Sequence, residues 1–328
     1  MGHPKFRWGI IGLGSIANKF ASGIAAIPDA ELLAVASRTQ EKAEAFGDKY
    51  GAERRYGSYA EIVKDADVDA IYIATPHSGH EADTILCLEA GKPTLTEKPF
   101  SINHDQASRM VAASRANNVF LMEAMWSRFF PMMEQLRGLI KNGAIGDLRT
   151  VQADFGFRAG FNPESRLFNP ALGGGGLLDV GVYTVSLASM LLGKPKDITG
   201  YANLGQSGVD EEAAMLIRYA EGQMALLSTA VRLNTPQEVM LVGTAGRIRI
   251  HSPWWIPRSM TITRDGQKDE IVDVPLVGNG YNYQADEVAR CVREGLIESP
   301  IMPHDETLEV MKTLDTLRAQ WGVKYPME

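Results

Sequence analysis

Gly12, Gly14 and Ala17 stand in the spacing G-x-G-x-x-A, directly after the apolar run Phe6 to Ile11 and at the opening of a helical stretch from Ser15 to Ala26. A strand before and a helix after are the context in which this spacing binds a dinucleotide. Gly12 permits the tight turn, Gly14 lets a pyrophosphate approach the backbone, and Ala17 is small enough for close helix–strand packing. The first-turn N–H groups around Ser15 and Ile16 then offer donors and the positive end of the helix dipole to the phosphates.

The end of the second strand, Glu31 to Ser37, selects the nucleotide. Folds that take NAD place an Asp or Glu there, about 20 residues on, for the ribose 2′-OH. This chain has Ser37-Arg38-Thr39, with Lys42 one turn later and no carboxylate before Glu41. Arg38 is suited to stack on adenine and, with Ser37 and Lys42, to hold a 2′-phosphate. The other reading of Arg38 is a solvated surface charge. NADP is the expected cofactor.

Two further groups carry candidate chemistry. Glu97-Lys98-Pro99 closes the fifth strand, and open parallel sheets place ligands at strand C-termini, so Lys98 is expected to point into the crevice by the nicotinamide. Gly173-Gly174-Gly175-Gly176 runs into Leu177-Leu178-Asp179-Val180-Gly181-Val182-Tyr183. Asp179 and Tyr183 are four apart and share a helix face, Gly181 leaves room between them, and the glycine run lets backbone approach a ligand. The same residues also suit a capped core helix with a packing tyrosine and an N-terminal Asp favoured by the dipole. His77-x-x-His80 invites a metal reading, but zinc needs three or four converging ligands and no cysteine cluster accompanies the pair, so no metal is expected. Thr75, Pro76, His77 and His80 are read instead as strand-end and helix-start residues near the cofactor.

The elements that must position these groups follow from periodicity. Up to about residue 125, short apolar runs alternate with amphipathic stretches, the pattern of βαβ units over a parallel sheet. After Phe6 to Ile11 and Glu31 to Ser37, Ala70 to Ala74, Thr94 to Thr96 and Val119 to Met122 read as strands. Gln40 to Tyr50, His80 to Ala90 and Asn103 to Asn117 read as helices, Gly91 closes the second of these, and Ser58-x-x-Glu61 has the form of a capping box. Beyond Ala124 the rhythm changes. Phe130 to Lys141 is helical, Arg149 to Phe157 alternates as a half-exposed strand, and a helix follows the glycine run to Leu192. Several strand-like runs fill 197–274, with turns at Ala220-Glu221-Gly222, Thr244-Ala245-Gly246 and Asp265-Gly266. Ala285 to Glu294 and Asp305 to Gln320 close the chain as helices.

The expected fold is α/β: an N-terminal Rossmann domain with a doubly wound parallel sheet over 1–125, and a C-terminal α+β domain over 126–328 with a large, mostly antiparallel open sheet. The last helix, 305–320, is a candidate to pack back on the first domain. The second sheet has helices on one face, so its other face needs a partner, and a second copy of the chain is the simplest.

Length and composition agree. The chain has 328 residues, enough for two domains, with 45% hydrophobic and 22% charged residues. Its 33 basic and 40 acidic residues give a net charge of −7, without the basic excess that nucleic-acid binding requires. Cys87 and Cys291 read as buried thiols, no basic-then-apolar leader precedes the first strand, and no apolar run reaches a membrane-spanning ~20 residues. A cytoplasmic enzyme with a small-molecule substrate is the expectation, with neither nucleic acid nor membrane as partner.

Gly9-Ile10-Ile11-Gly12-Leu13-Gly14, Glu97-Lys98-Pro99, Leu178-Asp179-Val180-Gly181-Val182-Tyr183, and the long block Met122-Glu123-Ala124-Met125-Trp126-Ser127-Arg128-Phe129-Phe130-Pro131 together resemble the Gfo/Idh/MocA family of sugar oxidoreductases over nearly the whole chain. Within it they are similar to the branch of dimeric dihydrodiol dehydrogenases and NADP-dependent D-xylose 1-dehydrogenases. Many members carry His where this chain has Tyr183, and Tyr is what that branch would show. The resemblance implies a Lys–Tyr catalytic pair. Tyr183 would give or take the proton of the reacting oxygen, Lys98 would hold that oxygen and favour the ionised phenol, and Asp179 would orient the substrate hydroxyls or the lysine. It also implies a cis Lys98–Pro99 peptide, a nicotinamide border at Trp126 and Arg128, and a cofactor contact at Arg166.

Substrate contacts are expected from Trp126, Phe155, Asp179, Tyr183, Trp254 in the Pro- and Trp-rich loop 251–257, and Tyr283 in a late loop. The implied reactions are oxidation of an aldose at C1 to a lactone or of a trans-dihydrodiol. The alternatives are an NADPH-dependent keto-sugar or anhydro-sugar reductase, and a regulator that binds NADP and sugar without chemistry. Lys98 and Tyr183 together weigh against the last. The strand-end basic residues predict tighter binding of NADP than of NAD, and equal or better turnover with NAD would overturn that reading.

Overall fold

The computed structural model describes residues 4–328. They divide into two compact units, one running to Trp126 and resuming over Val277–Thr307, the other formed by Ser127–Leu276 and Leu308–Glu328. The single cut expected at 125/126 is thus replaced by three crossings. Residues 277–307 join the first unit through specific contacts. Asn279 Nδ2 donates to the Lys19 carbonyl at 2.7 Å, Arg293 pairs with Asp29 at 2.9 Å, and the Tyr281 ring stacks on Trp126 with centroids 4.3 Å apart.

The first unit alternates as the sequence predicts: β1 (Phe6–Ile11), α1 (Ser15–Ile24), β2 (Ala30–Ala36), α2 (Gln40–Tyr50), β3 (Arg54–Tyr56), α3 (Tyr59–Ile62), β4 (Ala70–Ile73), α4 (His80–Glu89), β5 (Thr94–Glu97), α5 (His104–Asn117) and β6 (Leu121–Ala124). The strands form one parallel sheet in the order β3-β2-β1-β4-β5-β6. Strand order reverses between β1 and β4, so the ligand crevice of a doubly wound sheet lies at their C-terminal ends. Under it, Phe20 of α1 stacks on Tyr72 of β4 at 3.8 Å, and Trp8 of β1 meets Phe20 edge-on at 5.1 Å. All three side chains are fully buried. The capping box at Ser58 does not form: Ser58 precedes a four-residue α3 without a side-chain cap bond.

The second unit holds α6 (Pro131–Lys141), β7 (Leu148–Gly156), a π-helical turn (Leu177–Gly181) leading into α7 (Val182–Leu192), then β8 (Pro195–Leu204), β9 (Asp210–Tyr219), β10 (Met224–Ala230), β11 (Val239–Gly243), β12 (Gly246–Ile250), β13 (Ser259–Arg264) and β14 (Glu270–Asp273). Its sheet runs β14-β13-β12-β11-β7-β10-β9-β8, antiparallel except where β7 meets β10. Along β9 and β10 buried and exposed residues alternate, so one face packs inward while Leu216 and Leu226, paired across the strands, face outward. α8 (Tyr281–Arg293) starts four residues before the expected Ala285 and belongs to the first unit. α9 (His304–Trp321) begins in the first unit, where a His304 ring nitrogen lies 2.8 Å from the Leu121 carbonyl, and from Leu308 belongs to the second. The helical stretch Pro170–Leu192 is long and apolar enough to cross a bilayer, contrary to expectation, but 83% of its most apolar window is buried inside the protein. It is the core helix of the second unit.

The two leading glycines of the first turn serve different ends. Gly12 has φ +86°, and a Cβ there would lie 2.6 Å from the Thr75 nitrogen and 2.7 Å from the Ala74 carbonyl carbon. The turn therefore lies backbone on backbone against the end of β4. Gly14, the N-cap of α1, has φ −87°, and a Cβ there would meet nothing within 4 Å. Left-handed strain plus overlap makes Gly12→Ala costly, about 3 kcal/mol or more. Gly14→Ala should leave the thermal midpoint nearly unchanged, and a melt of both variants beside the wild type checks the contrast.

Candidate active site

In the first unit the chemistry gathers at the crevice end of the sheet. α1 presents its first-turn N–H groups with no acidic residue in that turn and no side-chain cap, and the open space over Gly14 lies on the same side. A cradle with free donors, no carboxylate and no steric need for its second glycine fits a pyrophosphate. Ser15 is exposed and Ile16 half-buried beside it. At the end of β2, Ser37 is buried while Arg38, Thr39 and Lys42 are exposed, so the charged pair stands free in solvent. Asp83 of α4 accepts from the Thr75 hydroxyl at 2.8 Å, and burial holds its carboxyl above the usual range, opposed by that bond and by the charge of Arg38.

Lys98 follows β5 on a cis Lys98–Pro99 peptide, as the family resemblance implied. Glu97, 5% exposed, accepts from the Tyr72 hydroxyl on one oxygen and from the Lys98 main-chain N–H at 3.2 Å on the other. Tyr72 thus fixes the carboxylate that fixes the lysine's backbone. Glu97 was expected among the cofactor contacts, and the structure gives it this anchoring task. His80 departs similarly. It is fully buried, with Nδ1 2.9 Å from the Pro99 carbonyl and Nε2 3.0 Å from the Thr75 carbonyl. It straps the cis segment to the end of β4 rather than reaching a ligand. Burial holds its imidazole below the usual range, against those backbone bonds. His77 is 8% exposed and meets the His80 ring edge-on at 5.7 Å, and Pro76, exposed, caps the short turn that begins at His77. Trp126 lies under Tyr281, a partner the sequence did not suggest. Tyr283, the expected pocket residue, accepts the Val277 N–H at 2.9 Å.

In the second unit the π turn brings Asp179 and Tyr183 onto α7's entry, 4% and 6% exposed. Arg166 donates to Asp179 Oδ1 at 2.8 Å, with its own side chain 57% exposed. The arginine expected at the cofactor therefore pairs with the candidate carboxylate at the edge of solvent. Tyr183 packs on Phe155 at 5.3 Å, and Phe155 stacks on Trp255 at 3.5 Å with planes 8° apart. Trp254, the expected substrate residue, is fully buried and donates its indole N–H to the Asp154 carbonyl at 2.7 Å. Trp255 is the ring that stacks on Phe155. Arg128, expected near nicotinamide, is 1% exposed and donates to the Ser186 hydroxyl at 2.9 Å and the Ser186 carbonyl at 2.6 Å. It fixes α7 one turn beyond Tyr183.

Each unit therefore supplies a partial site: a phosphate cradle with a strapped lysine in one, and a phenol and carboxylate beside two stacked aromatic rings in the other. Residues 6–125 match the family described as oxidoreductase family, NAD-binding Rossmann fold, and residues 133–249 match the GFO/IDH/MocA C-terminal domain. The trans-1,2-dihydrobenzene-1,2-diol dehydrogenases of Mus musculus and Homo sapiens are 39% and 34% identical, each covering 98% of both chains. Among solved structures, an aldose-aldose oxidoreductase from Caulobacter crescentus matches with TM-score 0.88 and 26% identity over 96% of this chain and 97% of its own. A 3-ketoreductase from Actinomadura kijaniata, in complex with NADP and TDP-benzene, matches with TM-score 0.86 and 26% identity over 97% and 98%. The chain is an oxidoreductase with a nicotinamide cofactor, and it belongs to the GFO/IDH/MocA family.

Proposed function

We propose that this enzyme is an NADP-dependent dehydrogenase that oxidises a CH–OH group of a cyclic diol or a sugar, with Lys98 and Tyr183 acting on the same substrate oxygen. The observation that carries the reading is the setting of Tyr183: a buried phenol one helical turn from a buried carboxylate and packed on the Phe155–Trp255 stack. A wall of aromatic rings suits the face of an unsaturated ring or the C–H surface of a sugar. The full-length relatives named for a dihydrodiol support the diol as the first substrate to test.

When bound, the nicotinamide supplies the acceptor for the two electrons and hydrogen leaving carbon. The chain's own residues supply the rest. Gly14 and the first turn of α1 hold the pyrophosphate, and Arg38 with Ser37, Thr39 and Lys42 holds the 2′-phosphate. Tyr183 takes the hydroxyl proton as the carbonyl forms, and returns one when the direction is reversed. The Lys98 ammonium draws the reacting oxygen and favours the ionised phenol. Asp179, paired with Arg166, orients the neighbouring hydroxyl.

Reduction of a keto-sugar with NADPH uses the same groups in reverse, and the ketoreductase likeness supports it as the second reading. Incubation with NADP and trans-1,2-dihydrobenzene-1,2-diol, D-xylose or an anhydro-sugar, followed by absorbance of reduced cofactor, tests the assignment. No turnover with any of them overturns it. Tyr183→Phe should cut turnover about 100-fold or more with little change in NADPH affinity, while Gly14→Ala should weaken NADPH binding in a folded protein. Wild-type turnover by Tyr183→Phe removes the phenol from the mechanism.

The outward face of the second sheet carries Tyr201 at 85% exposure, Leu216, Met224 and Leu226 on the neighbouring strands β8, β9 and β10, an exposed apolar cluster. A second copy of the chain is its proposed cover. Sedimentation should show a dimer that Leu216→Glu with Leu226→Glu converts to monomer, and a wild-type monomer at micromolar concentration refutes this.

A further inference from the structure

Thirty-three residues beyond Leu177 in sequence, the first residue of β9 reaches back to the turn that carries Asp179 and Tyr183. Asp210 is fully buried, and its Oδ2 accepts the Leu177 main-chain N–H at 2.6 Å. Its Oδ1 has no hydrogen-bond partner. The carboxylate occupies the space that side chains of the glycine run would need. A Cβ on Gly175, where φ is +120°, would lie 2.4 Å from Oδ1, and one on Gly176 would lie 3.3 Å from Oδ2. The rest of the run is pinned around it. The Tyr325 hydroxyl donates to the Gly174 carbonyl at 2.6 Å, the Thr229 hydroxyl donates to the Gly176 carbonyl at 3.2 Å, and the Asp179 N–H donates to the Gly175 carbonyl at 3.2 Å. Gly175 is thus the link between Asp210 and the backbone of the candidate catalytic carboxylate.

We propose that Asp210 is a positioning residue for the reaction, and that its ionised form seats the π turn, and with it Asp179 and Tyr183, in the working arrangement. This rests on the reading of Tyr183 and Asp179 given above. A buried carboxylate whose one well-formed bond is the Leu177 N–H, with the main-chain N–H groups of Gly176 and Asp210 itself only near it, is an uneconomical way to stop a helix end, since an under-satisfied buried oxygen is destabilising. Asparagine or serine caps a helix without an ionisable group. Charge makes the Leu177 bond the stronger kind, roughly twice a neutral one. Adding a proton weakens that acceptor and places an O–H where Oδ1 finds no partner.

The surroundings set where this happens. Burial pushes the carboxyl up to about 7, against the main-chain N–H groups of Leu177 and Asp210, the positive charge of Arg318 and the Gly176 N–H. Arg318 of α9 is itself compensated by Asp315 and Glu328 and sits 4.9 Å over the Tyr325 ring. Tyr325, from the segment after α9, is the other titratable group facing Asp210, and burial holds its phenol above its ordinary range. β10 contributes only the neutral Thr229 hydroxyl, and Glu211, next on β9, pairs with Arg232 at 3.5 Å. The turn is therefore held firmly above about pH 7 and loosened below it. The stability sign is opposite. The folded carboxyl keeps a proton the unfolded chain has released, so stability falls as pH rises from about 4 to about 7.

Asp210→Asn keeps an acceptor for Leu177 and cannot ionise, so it should resemble the low-pH wild type at every pH. With NADP and trans-1,2-dihydrobenzene-1,2-diol, or the substrate the screen identifies, the wild-type to Asn ratio of kcat should be near one at about pH 6. It should rise to about threefold to tenfold at about pH 8, with cofactor affinity unchanged. The thermal midpoint of Asn relative to wild type should climb over the same range. Asp210→Ala should lose more than about tenfold in kcat at both pH values and speed amide exchange at Leu177. If Ala does not fold, the Asn ratio decides alone. A kcat ratio that is flat with pH, whether at one or well above it, overturns the proposal. Should Tyr183→Phe retain turnover, the reading of the site fails instead, and the midpoint comparison still reports whether Asp210 titrates in the fold.

Discussion

Backbone packed directly against its neighbours, with no Cβ between, is the constraint on which both half-sites depend. In the first unit Gly12 lies on Ala74 and Thr75 at distances no side chain would tolerate, which brings the turn after β1 flush with the end of β4. In the second, a Cβ on Gly174 would lie 2.9 Å from the Leu167 carbonyl oxygen and the Asn169 nitrogen, while Gly175 gives its space to a carboxylate. Such contacts leave no slack. Residues that follow these turns, Ser15 in one case and Asp179 in the other, are placed by main-chain geometry rather than by side-chain packing. Gly14 is the exception: a Cβ there would meet nothing within 4 Å, so no contact inside the fold demands a glycine at this N-cap.

Around these turns the polar groups are held in pairs or relays. Tyr72 holds Glu97, which holds the Lys98 main chain, and the His80 ring spans two carbonyls. Arg166 compensates Asp179, and Arg128 binds α7 at Ser186. Each costs desolvation and returns orientation, the trade expected where a reacting group must be fixed to a fraction of an ångström. The apolar support is equally directional: the Phe20–Tyr72 stack lies beneath one half-site and the Phe155–Trp255 stack beside the other.

The first unit was legible because its signals are local. Strand period, helix period and the glycine spacing all occur within thirty residues, and Lys98 falls at a strand end wherever the boundary is drawn. What was not legible depends on contacts between distant segments. Trp254 and Trp255 are adjacent and alike, and the bond from the Trp254 indole to Asp154, a hundred residues away, leaves Trp255 as the one that stacks on Phe155. Arg128 and His80 look like ligand contacts because charged and imidazole groups beside a cofactor motif usually are, yet burial and backbone acceptors claim both. Asp210 follows Ser207-Gly208 and reads as an ordinary turn residue; nothing near it in sequence announces the glycine run it faces. Tyr281 to Tyr283 read as a late loop, whereas α8 starts at Tyr281, four residues before the expected Ala285.

The threading of the chain, first unit to second and back again before ending in the second, bears on how the protein is born. A ribosome working from the N-terminus releases all six strands of the Rossmann sheet long before the segment that supplies Tyr281 and the partners of Lys19 and Asp29. The nascent nucleotide-binding half must wait, unfinished, through the synthesis of some 150 intervening residues. Its completion therefore waits on a segment that follows the whole sheet of its neighbour, whose own long-range strand pairing is slow to nucleate. No single proteolytic or genetic cut yields two whole modules.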